Sequence, residues 1–98
     1  MAEQPESRLQ RKIVAELNSI EKCYCEKVHG GPMGKQKLDI VGGVDGKMFW
    51  LEVKVPGKKP TKKQEATMRK WAEKARAYAG WTTSPEDAKE QIMGLMEA

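Results

Sequence analysis

Two carboxylates and a lysine on neighbouring segments form the group in this sequence that is best suited to chemistry. Asp39 and Glu52 belong to β-type segments joined by Asp45-Gly46, a dipeptide that strongly predicts a tight hairpin turn. In that hairpin Asp39 lies directly across from Glu52, where like charges repel each other unless a cation lies between them. Oxygen ligands at this spacing suit Mg²⁺ or Mn²⁺. Lys54 follows Glu52 by two residues and therefore projects from the same face of the sheet.

Two other interpretations of this pair stay open from the residues alone. A bulge at Gly42-Gly43 would shift the pairing by one residue and place Asp39 and Glu52 on opposite faces of the sheet. The two carboxylates could also lie on the exposed polar face of a half-buried hairpin, with no ligand at all.

Helices on either side of the hairpin supply two more polar candidates. A helix from about Pro5 to Ile20 carries an apolar stripe, and Glu6 continues that stripe at its N-terminal end, so its carboxylate should point toward the body of the protein. A favourable interaction of Glu6 with the helix dipole is the alternative. Thr61 and Gln64 form a capping-box pattern, so Gln64 is either a helix cap or a site residue.

The remaining elements predict a small α/β domain. Its order is α-β-β-β-α-β-α, which favours a small mixed sheet flanked by helices. At 98 residues the chain has room for one domain, residues 1–98. Trp71 and Tyr78 are expected in the core because of their helical spacing. The four strands are predicted at about Lys22–Val28, Lys37–Val44, Lys47–Val55 and Tyr78–Thr83, and the last helix from Ser84 to about Met96.

The charge distribution favours an anionic partner. The formal net charge is +4, and four lysines crowd the segment that follows the hairpin, namely Lys58, Lys59, Lys62 and Lys63. Such a patch suits contacts with phosphates, although a solvated loop would have the same composition. No apolar run is long enough for a membrane span and the N-terminus is polar, so a cytoplasmic protein without membrane contact is expected.

Cys23, Cys25 and His29 are the sequence's other conceivable metal ligands or reactive groups. No second Cys/His pair accompanies Cys23 and Cys25, so they are expected to be packing residues rather than zinc ligands. His29 stands beside a loop and is more simply explained as an incidental residue than as a catalytic one.

Taken in order, these motifs resemble the virus-type replication-repair nuclease (VRR-NUC) domain of the PD-(D/E)xK nuclease superfamily. The matching segments are Glu6-Ser7, Gly34–Asp39, Glu52–Gly57 and Gln64, and the resemblance extends from Glu6 to about Ala88. Leu38 departs from the pattern, since the family has proline before the aspartate. The resemblance implies a restriction-endonuclease-like core in a stand-alone, phage-like form, which would act in the cytoplasm of a bacterial host.

The resemblance also implies a role for each matching residue. Asp39, Glu52 and the backbone carbonyl of Val53 would hold Mg²⁺ or Mn²⁺, and Glu6 would hold a water on that metal or a second ion. Lys54 would orient or activate the attacking water, and Gln64 would steady the lysine or the scissile phosphate.

The predicted function is a metal-dependent, structure-selective DNA endonuclease that hydrolyses phosphodiester bonds, similar to Holliday-junction resolvases and working as a homodimer on branched or duplex DNA. A flap-directed nuclease is one alternative. A non-catalytic basic DNA-binding module that uses the same lysines is another, and a small nuclease that acts on RNA stays open as well.

Overall fold

The computed structural model describes residues 4–29 and 38–97. Within them the elements are α1 (Pro5–Asn18), β1 (Cys23–Lys27), β2 (Ile40–Val44), β3 (Lys47–Val53), α2 (Lys62–Lys74), β4 (Tyr78–Thr82) and α3 (Pro85–Glu97). This order confirms the predicted α-β-β-β-α-β-α arrangement. The predicted glycine-rich loop and the first residues of the second predicted strand fall in residues 30–37 and lie outside the described residues.

The register of the β2–β3 hairpin follows from its turn. Asp45 and Gly46 both have positive φ angles, 50° and 81°, as a type I′ turn requires. Val44 pairs with Lys47, and the pairing continues without a bulge to Ile40 and Leu51. The predicted register is confirmed, so Asp39, one residue before β2, lies across from Glu52.

The four strands form one mixed sheet in the order β1-β2-β3-β4. β1, β2 and β3 are antiparallel neighbours, whereas β4 runs parallel to β3. A parallel pair needs a crossover connection, and α2 provides it between β3 and β4. The predicted fold class, a small mixed sheet flanked by helices, is therefore confirmed.

One face of the sheet packs against α1 and α3 to form the hydrophobic core. This cluster contains Ile13, Leu17, Ile20, Cys25, Ile40, Val44, Phe49, Leu51, Val53, Ala88 and Ile92. The alternation of β3 sends Phe49, Leu51 and Val53 into the core and Trp50 and Glu52 to the opposite face. The candidate metal ligands thus lie at the boundary between the core and the outer face.

The outer face of the sheet carries α2. Trp50 contacts Trp71 of α2 there, with ring centroids 4.7 Å apart. Trp71 is only half-buried, which corrects the expectation that it belongs to the core, because α2 covers the outer face and keeps its other side in water. Tyr78 is half-buried in β4 and packs against the core cluster.

Helix α1 ends at Asn18, two residues before the predicted end at Ile20, and the Asn18 side chain bonds to β1 there. The Asn18 amide oxygen accepts a hydrogen bond from the Cys25 N–H at 2.8 Å, and the amide nitrogen donates to the Cys25 carbonyl at 3.1 Å. Both bonds fix the end of α1 against β1. None of the helices in residues 4–29 and 38–97 is long and apolar enough to cross a membrane.

Candidate metal centre

Three carboxylates from three separate segments meet at one end of the sheet. Glu6 lies in the first turn of α1, Asp39 just before β2 and Glu52 in β3, and each offers a ligand oxygen within 4.8 Å of the other two. The structure therefore brings together the acidic residues that the sequence singles out. Oxygen-only donors at this separation suit a hard divalent cation such as Mg²⁺ or Mn²⁺.

Asp39 is held in place by backbone groups on both of its neighbouring strands. Its Oδ2 accepts a hydrogen bond from the Val53 N–H at 2.9 Å, and its backbone carbonyl accepts one from the Val28 N–H at 2.8 Å. The carboxylate is thus oriented by the sheet, although Asp39 precedes β2. Val53 is buried at the end of β3, beside Asp39.

The Glu52 side chain is buried, since the residue is only 2% exposed. Its two carboxylate oxygens differ in their hydrogen bonding. Its Oε2 accepts a hydrogen bond from Gln64 Nε2 at 2.9 Å and lies 3.4 Å from Lys54 Nζ. Its Oε1 is buried and has no hydrogen-bond partner among the described residues. A buried polar atom without a partner is unfavourable, and a cation between the three carboxylates would satisfy it. The donor set therefore fits a divalent metal ion.

The environment of Glu52 raises its pKa to about 7. Burial is the main cause because it disfavours the charged form, and the negative charge of Asp39 adds to the effect. The nearby Lys54 ammonium opposes both. A bound cation would favour the ionised carboxylate, so metal binding and loss of this proton are coupled.

Gln64 caps α2 and also contacts the acidic cluster. Its Oε1 accepts the Thr61 N–H at 2.9 Å, while its own N–H bonds the Thr61 hydroxyl at 3.1 Å, which completes a capping box. Its Nε2 donates to Glu52 at 2.9 Å. The two ends of one amide thus join the start of α2 to the acidic cluster.

Lys54 is partly buried beside Glu52, on the same face of the sheet. Its backbone N–H donates to the Thr82 carbonyl at 3.0 Å, which ties this position to the end of β4. The ammonium group is thereby held next to the acidic cluster, as the sequence predicts.

Gln10 is a site residue that the sequence reasoning missed. It lies one turn after Glu6 in α1, is 6% exposed, and its Nε2 is 3.5 Å from Glu6 Oε1. Its own Oε1 is buried without a partner in the described part of the chain. A signal was present, because Gln10 stands three residues before Ile13 and therefore places an amide on the buried face of the helix.

The basic patch remains exposed beside this centre. Lys58 and Lys59 lie in the loop between β3 and α2, and Lys62 and Lys63 lie in the first turn of α2. This is the same turn from which Gln64 reaches Glu52. The four lysines are thus solvent-accessible, as phosphate contacts would require.

The remaining candidates do not join the cluster. His29 is exposed, and Cys23 and Cys25 are free thiols in β1. Burial raises the pKa of Cys25 to about 12, so its thiol stays protonated and behaves as a small apolar side chain.

The element order and the mixed sheet define a small α/β fold with an acidic cluster at one end of the sheet. More narrowly, the chain is similar to a solved structure described as a VRR_NUC domain, with a TM-score of 0.66, 19% sequence identity and coverage of 94% of each chain. No protein-family model and no curated protein matched the sequence. The chain therefore has the VRR-NUC fold that its motifs resemble.

Proposed function

We propose that the chain is a metal-dependent, structure-selective DNA endonuclease. The observation that carries this proposal is the buried Oε1 of Glu52, which has no hydrogen-bond partner within residues 4–29 and 38–97 and lies in a cluster of three carboxylates with the Lys54 ammonium beside it. A purely structural cluster would leave two or three negative charges opposed to each other at the edge of the core, which is unfavourable.

Glu6, Asp39 and Glu52 would hold the metal, together with the Val53 carbonyl. When bound, Mg²⁺ or Mn²⁺ would polarise a phosphoryl oxygen and lower the pKa of an attacking water. Lys54 counters the negative charge that develops on the phosphate, since its Nζ lies beside the cluster. Gln64 fixes the orientation of Glu52, and Gln10 that of Glu6.

The substrate proposed for this centre is branched or duplex DNA. The exposed lysines after β3 would contact its phosphates and position the backbone over the cluster. A Holliday junction is the proposed preferred form, cut by a homodimer whose two-fold axis matches the symmetry of the junction.

The first experiment compares cleavage of a labelled four-way junction, a flap, a linear duplex and an RNA duplex in Mg²⁺ and in Mn²⁺. A chelator and the variants Asp39→Ala and Glu52→Gln should abolish cleavage, whereas Glu90→Gln, on the exposed side of α3, should leave it unchanged. Asp39→Ala should bind DNA as well as the wild type or better, because it removes a negative charge close to phosphate.

Paired nicks on the junction would support the resolvase form. Binding without cleavage in either metal would instead leave a basic DNA-binding module. Light scattering tests the dimer separately: we expect about twice the chain mass of 11.0 kDa, and a mass of one chain at working concentration would contradict it.

Metal binding is also measurable without any substrate. Calorimetric titration with Mn²⁺ should show binding that Glu52→Gln and Asp39→Ala weaken strongly, while Glu90→Gln keeps the wild-type affinity. Above pH 7 little proton release should accompany binding, whereas near pH 6 close to one proton should be released, because the pKa of Glu52 is about 7.

A further inference from the structure

An exposed tryptophan lies in the same row of the sheet as the acidic cluster. The β3–β4 register pairs Glu52 with Trp81, and neighbours paired in this way project from the same face. On the other side, Asp39 lies across from Glu52, and the Val28 N–H donates to the Asp39 carbonyl. One row across the four strands therefore contains Val28, Asp39, Glu52 and Trp81.

Trp81 is at the open end of this row. β4 is the last strand of the sheet, and Trp81 is 39% exposed although it stands beside Glu52, which is 2% exposed. Strands are spaced about 4.8 Å apart, so the Trp81 Cα is about 5 Å from that of Glu52 and about 10 Å from that of Asp39. An indole at this distance reaches the nucleotides next to a phosphate bound at the cluster.

Helix α2 contacts β4 as well as β3, and it leaves part of Trp81 exposed. Trp50 stacks against Trp71 of α2 and is itself buried. In the β3–β4 register, Ala79 of β4 pairs with Trp50. Trp81 follows Ala79 by two residues, projects from the same face of the sheet and is 39% exposed.

We propose that Trp81 stacks on a base that is unstacked at a branch point, next to the phosphate that is cut, and so makes the enzyme prefer branched DNA to plain duplex. A base in an intact duplex has both faces covered by its neighbours, whereas a splayed base offers a face to an aromatic side chain. Lysines in the first turn of α2 would hold the backbone, and this combination of cations and a stacking ring is typical of single-strand binding sites. The inference rests on the proposed nuclease function.

The test places 2-aminopurine at the unpaired position of a flap and measures its fluorescence and the affinity in Ca²⁺, so that the DNA stays uncut. A fully paired duplex of the same sequence is the reference. The variants are Trp81→Ala and Trp81→Phe, and Tyr24→Ala is the matched control, since Tyr24 is 65% exposed on the same face but on β1, at the other side of the sheet.

In the wild type, binding should quench the 2-aminopurine and favour the flap over the duplex. Trp81→Ala should abolish the quenching and lower the flap-to-duplex affinity ratio about tenfold, which corresponds to one base–aromatic stack. Trp81→Phe should keep most of this ratio, because it retains an aromatic ring, and Tyr24→Ala should keep all of it.

Three results would overturn the inference. Trp81→Ala could weaken flap and duplex equally, the quenching could persist without the indole, or the variant could change the mass in light scattering, which would make Trp81 a protein contact. If the wild type cuts DNA with metal and one of these results is found, only the role of Trp81 is wrong. If the wild type neither binds nor cuts any DNA, the proposed function itself fails.

Discussion

At the residue scale, the proton on Glu52 makes the folded state sensitive to pH. The pKa of this carboxyl rises from 4.5 to about 7 on folding, so the folded state holds a proton that the unfolded state has released in this range. The resulting stabilisation is fully present below pH 4.5 and is lost as the pH rises through 7. The apo protein should therefore become less stable from pH 5 to pH 8.

We expect Glu52→Gln to remove this part of the pH dependence, on the order of 2 kcal/mol in the free energy of unfolding. Urea unfolding of both proteins at pH 5 and pH 8, with a chelator present, measures the difference. The same change with pH in both proteins would show that Glu52 does not hold the proton. Added Mn²⁺ should stabilise the wild type mainly at pH 8, where the carboxylate is ionised.

The sequence predicts some residues of the centre better than others, for a physical reason. Asp39 and Glu52 follow from a local rule, since the turn fixes which residues of a hairpin face each other. Gln10 cannot be assigned to the centre from the sequence alone. A glutamine on a buried helix face could have many partners, and its contact with Glu6 is visible only in the structure. For Gln64 the sequence suggests either a helix cap or a contact with the site. Both contacts occur together, because the amide oxygen accepts from Thr61 while the amide nitrogen donates to Glu52.

At the element scale, the start of α2 is joined to the candidate metal centre through one side chain, Gln64. Thr61→Ala removes the hydroxyl that caps the helix and should cost about 1 kcal/mol of stability. Gln64→Ala loses the other half of the cap and also the hydrogen bond to Glu52.

We therefore expect Gln64→Ala to be the less stable of the two variants, and also to differ from Thr61→Ala in cleavage. Gln64→Ala should reduce the rate at least tenfold more than Thr61→Ala, measured under conditions where both are folded. Equal rates would mean that Gln64 serves α2 alone.

Strand β2 contains two adjacent glycines, Gly42 and Gly43, that differ in the space available for a side chain. A Cβ on Gly42 would lie 2.5 Å from both the Cys25 Cβ and the Tyr24 carbonyl of β1, whereas a Cβ on Gly43 would be 3.6 Å from its nearest atom, the Lys47 carbonyl. Gly42→Ala should thus push β1 away and cost about 1–3 kcal/mol, as overpacking does.

Gly43→Ala is the matched control and should change stability little, since the new methyl group has room. Thermal unfolding of the two variants decides between them. Similar losses would indicate that the cost arises from the strand conformation rather than from the close approach of β1 to Gly42.

The elements themselves could be predicted from the sequence, but one register could not. Periodicity and the Asp45-Gly46 turn lead to the helices and to the β2–β3 pairing. The β3–β4 register depends on how α2 packs and where its crossover returns, which no short-range signal encodes. That is why the sequence does not show that Trp81 lies beside Glu52.

At the scale of the whole molecule, the net charge of +4 is less informative than the position of the lysines. Lys58, Lys59, Lys62 and Lys63 are exposed beside the metal centre. Each phosphate contact contributes roughly 0.9 to the slope of log affinity against log salt concentration. With one phosphate contact for each lysine, substitution of all four by Gln should reduce that slope by about 3.6.

A double variant with Gln at Lys22 and Lys89 is the control, and it should leave the slope nearly unchanged. Lys22 lies at the turn end of the sheet, away from the cluster, where its backbone carbonyl accepts a hydrogen bond from the Asp45 N–H. Lys89 forms a surface ion pair with Glu16. Equal effects of both sets would show that DNA contacts the protein by general attraction rather than through the basic patch.

The hairpin that supplies both central carboxylates has a consequence for the order of folding. Asp39 and Glu52 meet as soon as β2 and β3 pair, which takes about 1–10 μs for a hairpin, whereas Glu6 joins them only when α1 docks on the sheet. The complete set of proposed metal ligands thus exists only after most of the structure has formed. Divalent ions should accordingly slow unfolding and leave the refolding rate nearly unchanged, so that the metal protects the finished molecule without guiding its assembly.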